Sequence, residues 1–179
     1  MDLKQLQLSL LQPHLAPIEL WDPAFCGDIP IRIDRQGDWH YMDSKIQRPE
    51  LVQLFASVLT RQQQEYFLLT PVEKVRIQVD DAAFMVVAIE HQNSANPMLI
   101  ATTNLGQRLL IGAEYPLVLQ AQQDGQLLPY LRLWRGLTAK FSRSTYYQLV
   151  DFSEVAQCNG TSHLQVSSDG INFTLGTLD

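Results

Sequence analysis

The run from Leu69 to Glu90 constrains the fold more than any other part of this chain. Within it Val75, Ile77 and Val79 are apolar while Lys74, Arg76 and Gln78 are polar. That period of two describes a strand with one wet face. Asp80 and Asp81 interrupt the pattern. Phe84, Met85, Val86, Val87, Ala88 and Ile89 then follow without a polar residue, which predicts a strand covered on both faces. A chain with this centre builds its core from sheet, and the portions on either side must cover that sheet.

The leading portion supplies helices and a hairpin. Leu3, Leu6, Leu10 and Leu11 fall at helical spacing ahead of Pro13, so a short amphipathic helix is expected at the start. Pro13, Pro17, Pro23 and Pro30 mark residues 13–30 as loop. Proline cannot donate to a ladder, so the next strand starts at Pro30 or lies at a sheet edge. Ile29, Ile31 and Ile33 face Trp39 and Tyr41 across a turn at residues 35–38, the pattern of a β-hairpin. Pro49 and Glu50 suit a first helical turn. Leu51, Leu54, Phe55, Val58 and Leu59 continue that helix, and Arg61 with its glutamines closes it. A strand is expected from Glu65 to Thr70.

Past the loop Asn93-Ser-Ala-Asn-Pro97 the pattern is nearly all strand, at Met98–Thr102, Arg108–Ile111 and the alternating Leu117, Leu119 and Ala121. Asp124-Gly125 is a hairpin turn signal. Tyr130, Arg132 and Trp134 then share one predicted strand face. Ser144 is placed to cap a helix through Tyr147, Leu149, Val150 and Val155. A last hairpin turns at Asp169-Gly170, between Leu164 and Val166 on one side and Ile171, Phe173 and Leu175 on the other. The expected fold is strand-rich α+β, with two lobes of antiparallel sheet. Each lobe carries one main helix, with a short N-terminal helix besides, and the lobes span 1–92 and 93–179.

Length and composition bound the function classes. A chain of 179 residues buries roughly 70% of its unfolded surface, enough for a core without staples. A formal net charge of -6 disfavours a dedicated nucleic-acid binder, which needs surplus cations. Cys26 and Cys158 are the two cysteines, too few for a secreted disulfide scaffold. The first residues lack the basic-then-apolar order of a signal peptide. No apolar run reaches the ~20 residues of a membrane span. A soluble cytoplasmic protein is expected.

Several local runs, taken together, carry a resemblance. They are Cys26-Gly-Asp-Ile-Pro-Ile-Arg-Ile33, Trp39-His-Tyr41, Ser44-Lys-Ile-Gln-Arg-Pro-Glu-Leu-Val-Gln-Leu-Phe55, Tyr66-Phe-Leu-Leu-Thr-Pro-Val-Glu-Lys74 and Ile77-Gln-Val-Asp-Asp81. Thr103-Asn-Leu-Gly106 and Pro129-Tyr-Leu-Arg132 fit as well. As a set these runs resemble an uncharacterised bacterial family, domain of unknown function 1285. The chain departs from it at Lys45 and Ala83, where proline is expected, and at Tyr115, where histidine is. The resemblance implies a soluble bacterial protein and brings no activity with it.

Two clusters are candidates for binding chemistry. Between Asp124 and Asp151 every charge is positive, at Arg132, Arg135, Lys140 and Arg143, with Tyr130, Trp134 and Tyr146 interleaved. Arginine beside an aromatic face holds anions. Tyr130, Arg132, Trp134 and Arg135 therefore form the leading site, for an anionic small molecule or an acidic protein segment. The alternative role for these arginines is pairing with acids of the first half. The second cluster is polar: Cys26, Asp28, Arg32, Glu73 and Lys74, with His40 as a base for the thiol. It is the site an enzyme would use. Asp28, Asp80, Asp81 and Glu90 lack calcium-loop spacing, and the scattered histidines lack zinc spacing, so no metal and no cofactor are expected. No G-x-G-x-x-G, P-loop, G-x-S-x-G, H-E-x-x-H or C-x-x-C motif is present. These absences put a non-enzymatic binding or regulatory module ahead of an enzyme. A third role is assembly, with a homodimer formed through sheet edges or the leucine-rich first helix.

Overall fold

The computed structural model describes residues 15–158 and 160–178; the helix expected at Leu3–Gln12 lies outside them. The chain divides into two compact units, Pro13–Ala83 with Trp134–Leu137, and Phe84–Leu133 with Thr138–Asp179 among the rest. The break therefore falls between Ala83 and Phe84. The loop at 93–97, expected to part the lobes, instead joins two neighbouring strands of one sheet.

The first unit is a six-stranded sheet in the order β3-β2-β1-β6-β5-β4. Its strands are β1 (Phe25–Ile33), β2 (Trp39–Tyr41), β3 (Ser44–Lys45), β4 (Leu59–Gln62), β5 (Glu65–Leu69) and β6 (Lys74–Val79). The expected hairpin forms, with Ile31 opposite Tyr41 and Ile33 opposite Trp39. The central alternating stretch forms β6, an interior strand. One sheet face gathers Ile33, Trp39, Leu59, Leu68 and Ile77, all buried. Helix α1 (Pro49–Ser57) buries Val52 and Ala56, and its Phe55 ring stacks on Trp39 at 6.0 Å.

β1 starts at Phe25 inside the proline-rich stretch. It is flanked by β2 and β6, so it is no edge strand. Pro30 is tolerated because the β1–β6 ladder is irregular between Asp28 and Arg32, and no donor is demanded there. In α1, Leu54 is exposed; Val52 and Ala56 lie one position over from the expected face. Arg61 does not close this helix. Leu59–Gln62 is already strand, paired with β5.

The second unit holds a six-stranded sheet ordered β10-β11-β12-β7-β8-β9, and a three-stranded sheet β13-β14-β15. The larger sheet comprises β7 (Phe84–Gln92), β8 (Met98–Thr103), β9 (Arg108–Leu110), β10 (Leu117–Ala121), β11 (Leu127–Arg132) and β12 (Thr138–Phe141). The smaller comprises β13 (Glu154–Cys158), β14 (Thr161–Ser168) and β15 (Ile171–Leu178). Phe84 and Val86 are buried, but Val87 is 46% exposed, so β7 is covered on one face rather than both. Helix α2 (Arg143–Asp151) is capped by Ser142, whose side chain accepts from the Thr145 amide, and not by Ser144. It ends before Val155, which lies in β13. Each six-stranded sheet is mixed, not antiparallel as expected, because β1 pairs with β6 and β12 with β7 in parallel.

The small sheet is fixed by a buried hydroxyl. Ser168 accepts from the Leu99 amide at 2.9 Å and donates to the Ile111 carbonyl at 2.6 Å. A buried group that loses its partner costs its desolvation energy, so Ser168→Ala is expected to lower the unfolding free energy by about 1–3 kcal/mol. A shifted urea midpoint with an unchanged slope is the readout.

Candidate functional site

The face of the first sheet opposite Ile33 and Trp39 brings together more chemistry than either expected cluster. Its geometry begins with one extra residue. Along β1 and β6, Phe25 pairs with Lys74 and Asp28 with Arg76, so three steps on one strand match two on the other. That is a β-bulge, and Gly27, at φ 102°, occupies it. The inserted residue reverses the strand's alternation, so Phe25 joins Asp28 on the face of Lys74 and Arg76. Arg76 also lies opposite Phe67 of β5.

The Phe25 ring meets the Phe67 ring edge-on at 6.1 Å and lies under the Arg76 guanidinium at 5.6 Å. Lys74 Nζ sits 4.3 Å from the centre of the Phe67 ring and donates to Gln62. Arg76 grips Asp28 with two bonds, Nε to Oδ1 at 2.7 Å and Nη2 to Oδ2 at 3.0 Å. Its Nη1 donates to Glu65. Phe67 and Leu69 are buried under Ile18, with Ala16, Trp21 and Val58 around them. Phe25 stays 54% exposed.

Electrostatics follow from this clamp. The hydrogen bonds from Arg76 hold the Asp28 carboxyl below the usual carboxylate range. In return Asp28 and then Glu65 hold Arg76 still more firmly protonated. All three side chains are substantially exposed, so water screens the pairing and partners exchange at little cost.

The structure places the members of the polar cluster in different surroundings. Asp28 and Lys74 belong to the face just described. Cys26 is exposed and donates its thiol proton to the Ala24 carbonyl. Arg32 donates to Asp80 at 2.9 Å. Glu73 is exposed in the turn before β6, its amide bonded to the Thr70 hydroxyl. His40 is no base for Cys26. It sits opposite Arg32, roughly 20 Å along the strand from the thiol, and its Nε2 is bonded to Asp34. Burial pushes the Asp34 carboxyl up, but the bonds from His40, Asp38 and Gln36 outweigh it and leave it below the ordinary range. Of the acids weighed for a cation, Asp28 is engaged by Arg76, Asp80 by Arg32 and Glu90 by Arg108.

The expected Tyr130–Arg132–Trp134–Arg135 face does not form. β11 ends at Arg132, and Trp134–Gly136 is a single 3-10 turn with Arg135 at φ 54°. Trp134 and Arg135 are counted with the first unit, Tyr130 and Arg132 with the second. Tyr130 is buried, with its hydroxyl bonded to Gln122. Arg135 is withdrawn from solvent, its side chain 8% exposed. It donates to both Glu19 oxygens at 2.6 and 3.1 Å, to the Ser57 carbonyl at 2.8 Å and to the Ala16 carbonyl. This is the alternative role, pairing with an acid of the first half. Arg132 alone of the four remains an exposed cation.

Phe25, Glu65 and Arg76 were absent from both expected clusters. Arg76 stands on the polar side of the most legible strand, so alternation alone marked it as outward. Phe25 was hidden by prolines, and Glu65 required the β5–β6 register.

The chain matches two family models, one described as Domain of unknown function (DUF1285), N-terminal domain, over residues 16–82, and one as Protein of unknown function (DUF1285), C-terminal domain, over residues 83–175. It belongs to the DUF1285 family, and the junction of the models lies within a residue of the break between units. The chain is similar to the crystal structure of a DUF1285 family protein from Silicibacter pomeroyi DSS-3. The identity is 36% and the TM-score 0.84, over 93% of this chain and 90% of that one. It is also similar to a DUF1285 family protein from Shewanella baltica OS155, with 34% identity and a TM-score of 0.54, over 69% of this chain and 91% of that one. No curated protein matches. Among the described residues, no helix is long and apolar enough to cross a membrane.

Proposed function

We propose that this protein is a binding module rather than an enzyme, and that it takes an anionic ligand at Phe25, Lys74 and Arg76 on its first sheet. The observation that carries this reading is Phe25. A phenyl ring left 54% exposed costs solubility unless something covers it, and here it is flanked by Arg76 and Lys74. Phenylalanine and arginine are both enriched at binding interfaces relative to the rest of a protein surface. A ligand anion meets the two cations by charge-assisted bonds, and its apolar part covers the ring. The cytoplasm is the proposed location, in keeping with so few cysteines.

The test is calorimetric titration with benzoate, phenyl phosphate and an acidic peptide, on the wild type, Phe25→Ala and Arg76→Met. At least one probe is expected to bind the wild type, and each substitution to weaken it by about tenfold. Raising salt from about 50 to about 500 mM should weaken it further. The reading fails if no probe binds, or if Arg76→Met binds as the wild type does.

A further inference from the structure

The Arg76 fork is already filled by the chain's own carboxylates. Asp28 occupies Nε and Nη2, and Glu65 takes Nη1. An incoming monocarboxylate would exchange like for like on that fork while losing the freedom of a free molecule, so it gains little. A phosphate monoester differs. It carries a charge of about -1.5 to -2 at neutral pH and three acceptor oxygens. Two of those oxygens match the fork as Asp28 does. The third has a further cation within reach. Lys74 and Arg76 are alternate residues on one face of β6, about 6.8 Å apart along the strand, and the polar partner of Lys74 Nζ among the described residues is the neutral Gln62 side chain. Beside this pair lies the half-exposed Phe25 ring, in contact with the guanidinium and open to a second ring on its free side.

Resting on the binding reading above, we infer that the face takes an aryl phosphate, and that Asp28 and Glu65 are built-in competitors for Arg76 that keep monoanions out. The phosphate bridges Arg76 and Lys74, and the aryl ring lies on Phe25. The displaced carboxylates are largely exposed, so they return to water at small cost.

The experiment is calorimetry on the full chain with phenyl phosphate, inorganic phosphate and benzoate. The proteins are wild type, Asp28→Asn, Glu65→Gln, Lys74→Met and Arg76→Met, with melting temperature as the folding control. Phenyl phosphate is expected to bind the wild type about tenfold more tightly than benzoate or inorganic phosphate. Asp28→Asn is expected to bind benzoate several-fold more tightly than the wild type does, and Glu65→Gln to shift the same way, because the competitor is gone. Lys74→Met is expected to erase the preference for phosphate over carboxylate. A phosphotyrosine peptide titrated alongside assigns the source, binding more tightly than phenyl phosphate if the aryl phosphate is carried on a chain and no better if it is free. If Arg76→Met abolishes binding while benzoate equals phenyl phosphate and Asp28→Asn changes nothing, this inference is overturned and the binding reading stands. If Arg76→Met also changes nothing, both fall.

Discussion

Replacing Arg135 with alanine is expected to lower the unfolding free energy by about 2–4 kcal/mol. The guanidinium serves the Ser57 and Ala16 carbonyls as well as Glu19. Glu19 is mostly exposed, so its ion pair contributes little, and most of the loss comes from two carbonyls that lose a charged donor and keep only the amides of Ala16 and Ile18. Arg135→Lys keeps the charge but not the planar fork, and should recover only part of the loss. The pH dependence has a definite sign. The Arg135 hydrogen bond, together with a bond to its own backbone, holds the Glu19 carboxyl below its usual value. A depressed carboxyl stabilises the fold above its unfolded pKa of about 4.3, and that share is lost as pH falls through the folded value. The difference between wild type and Arg135→Ala should therefore narrow as urea titrations move from neutral pH to below about pH 4. A variant as stable as the wild type at neutral pH would show that the bonds made by this side chain do not hold the turn.

A larger loss, about 3–5 kcal/mol, is expected for Trp39→Ala, which empties the centre of the first unit. Trp39 is 2% exposed, stacks on Phe55 of α1 and pairs with Ile33 of β1, so one side chain joins the helix to the sheet. Its indole N–H has no hydrogen-bond partner among the described residues, so the ring contributes through shape and apolar area alone. Trp39→Phe removes the orphaned donor along with part of the ring, and should cost well under half as much as alanine. Guanidinium denaturation of the three proteins checks the order. A Phe variant as damaged as the Ala variant would mean that the indole nitrogen has a partner in solution.

How far the sequence exposed this structure depended on where each constraint is written. β6, the hairpin at Ile31–Tyr41 and the final hairpin at Asp169-Gly170 were legible, because alternation and turn residues are local signals. β4 was not, because Leu59 continues the apolar spacing of the helix before it and no breaker separates them. The position of Trp134 is hidden for a similar reason. Tyr130, Arg132 and Trp134 keep a period of two, and nothing in the residue types announces that Arg135 takes a left-handed conformation, which its four bonds hold in place. The pairing of Asp28 with Arg76 was beyond reach on other grounds. It depends on the parallel register of β1 with β6, a relation between strands 40-odd residues apart, and parallel neighbours need a crossover that leaves no mark in either strand. The short runs around Asp28 and Lys74 mark each as polar, yet their neighbours Phe25, Glu65 and Arg76 come from the assembled sheet.

The bulge at Gly27 means that this surface is set by a count as well as by composition. Deleting that one glycine would restore strict alternation to the start of β1. The phenyl group of Phe25 would then turn through the sheet toward the side lined by α1, leaving the cations bare. Among related chains, a gain or loss of a single position before Asp28 would thus switch the aromatic platform off or on while Phe25, Asp28, Lys74 and Arg76 all kept their identity.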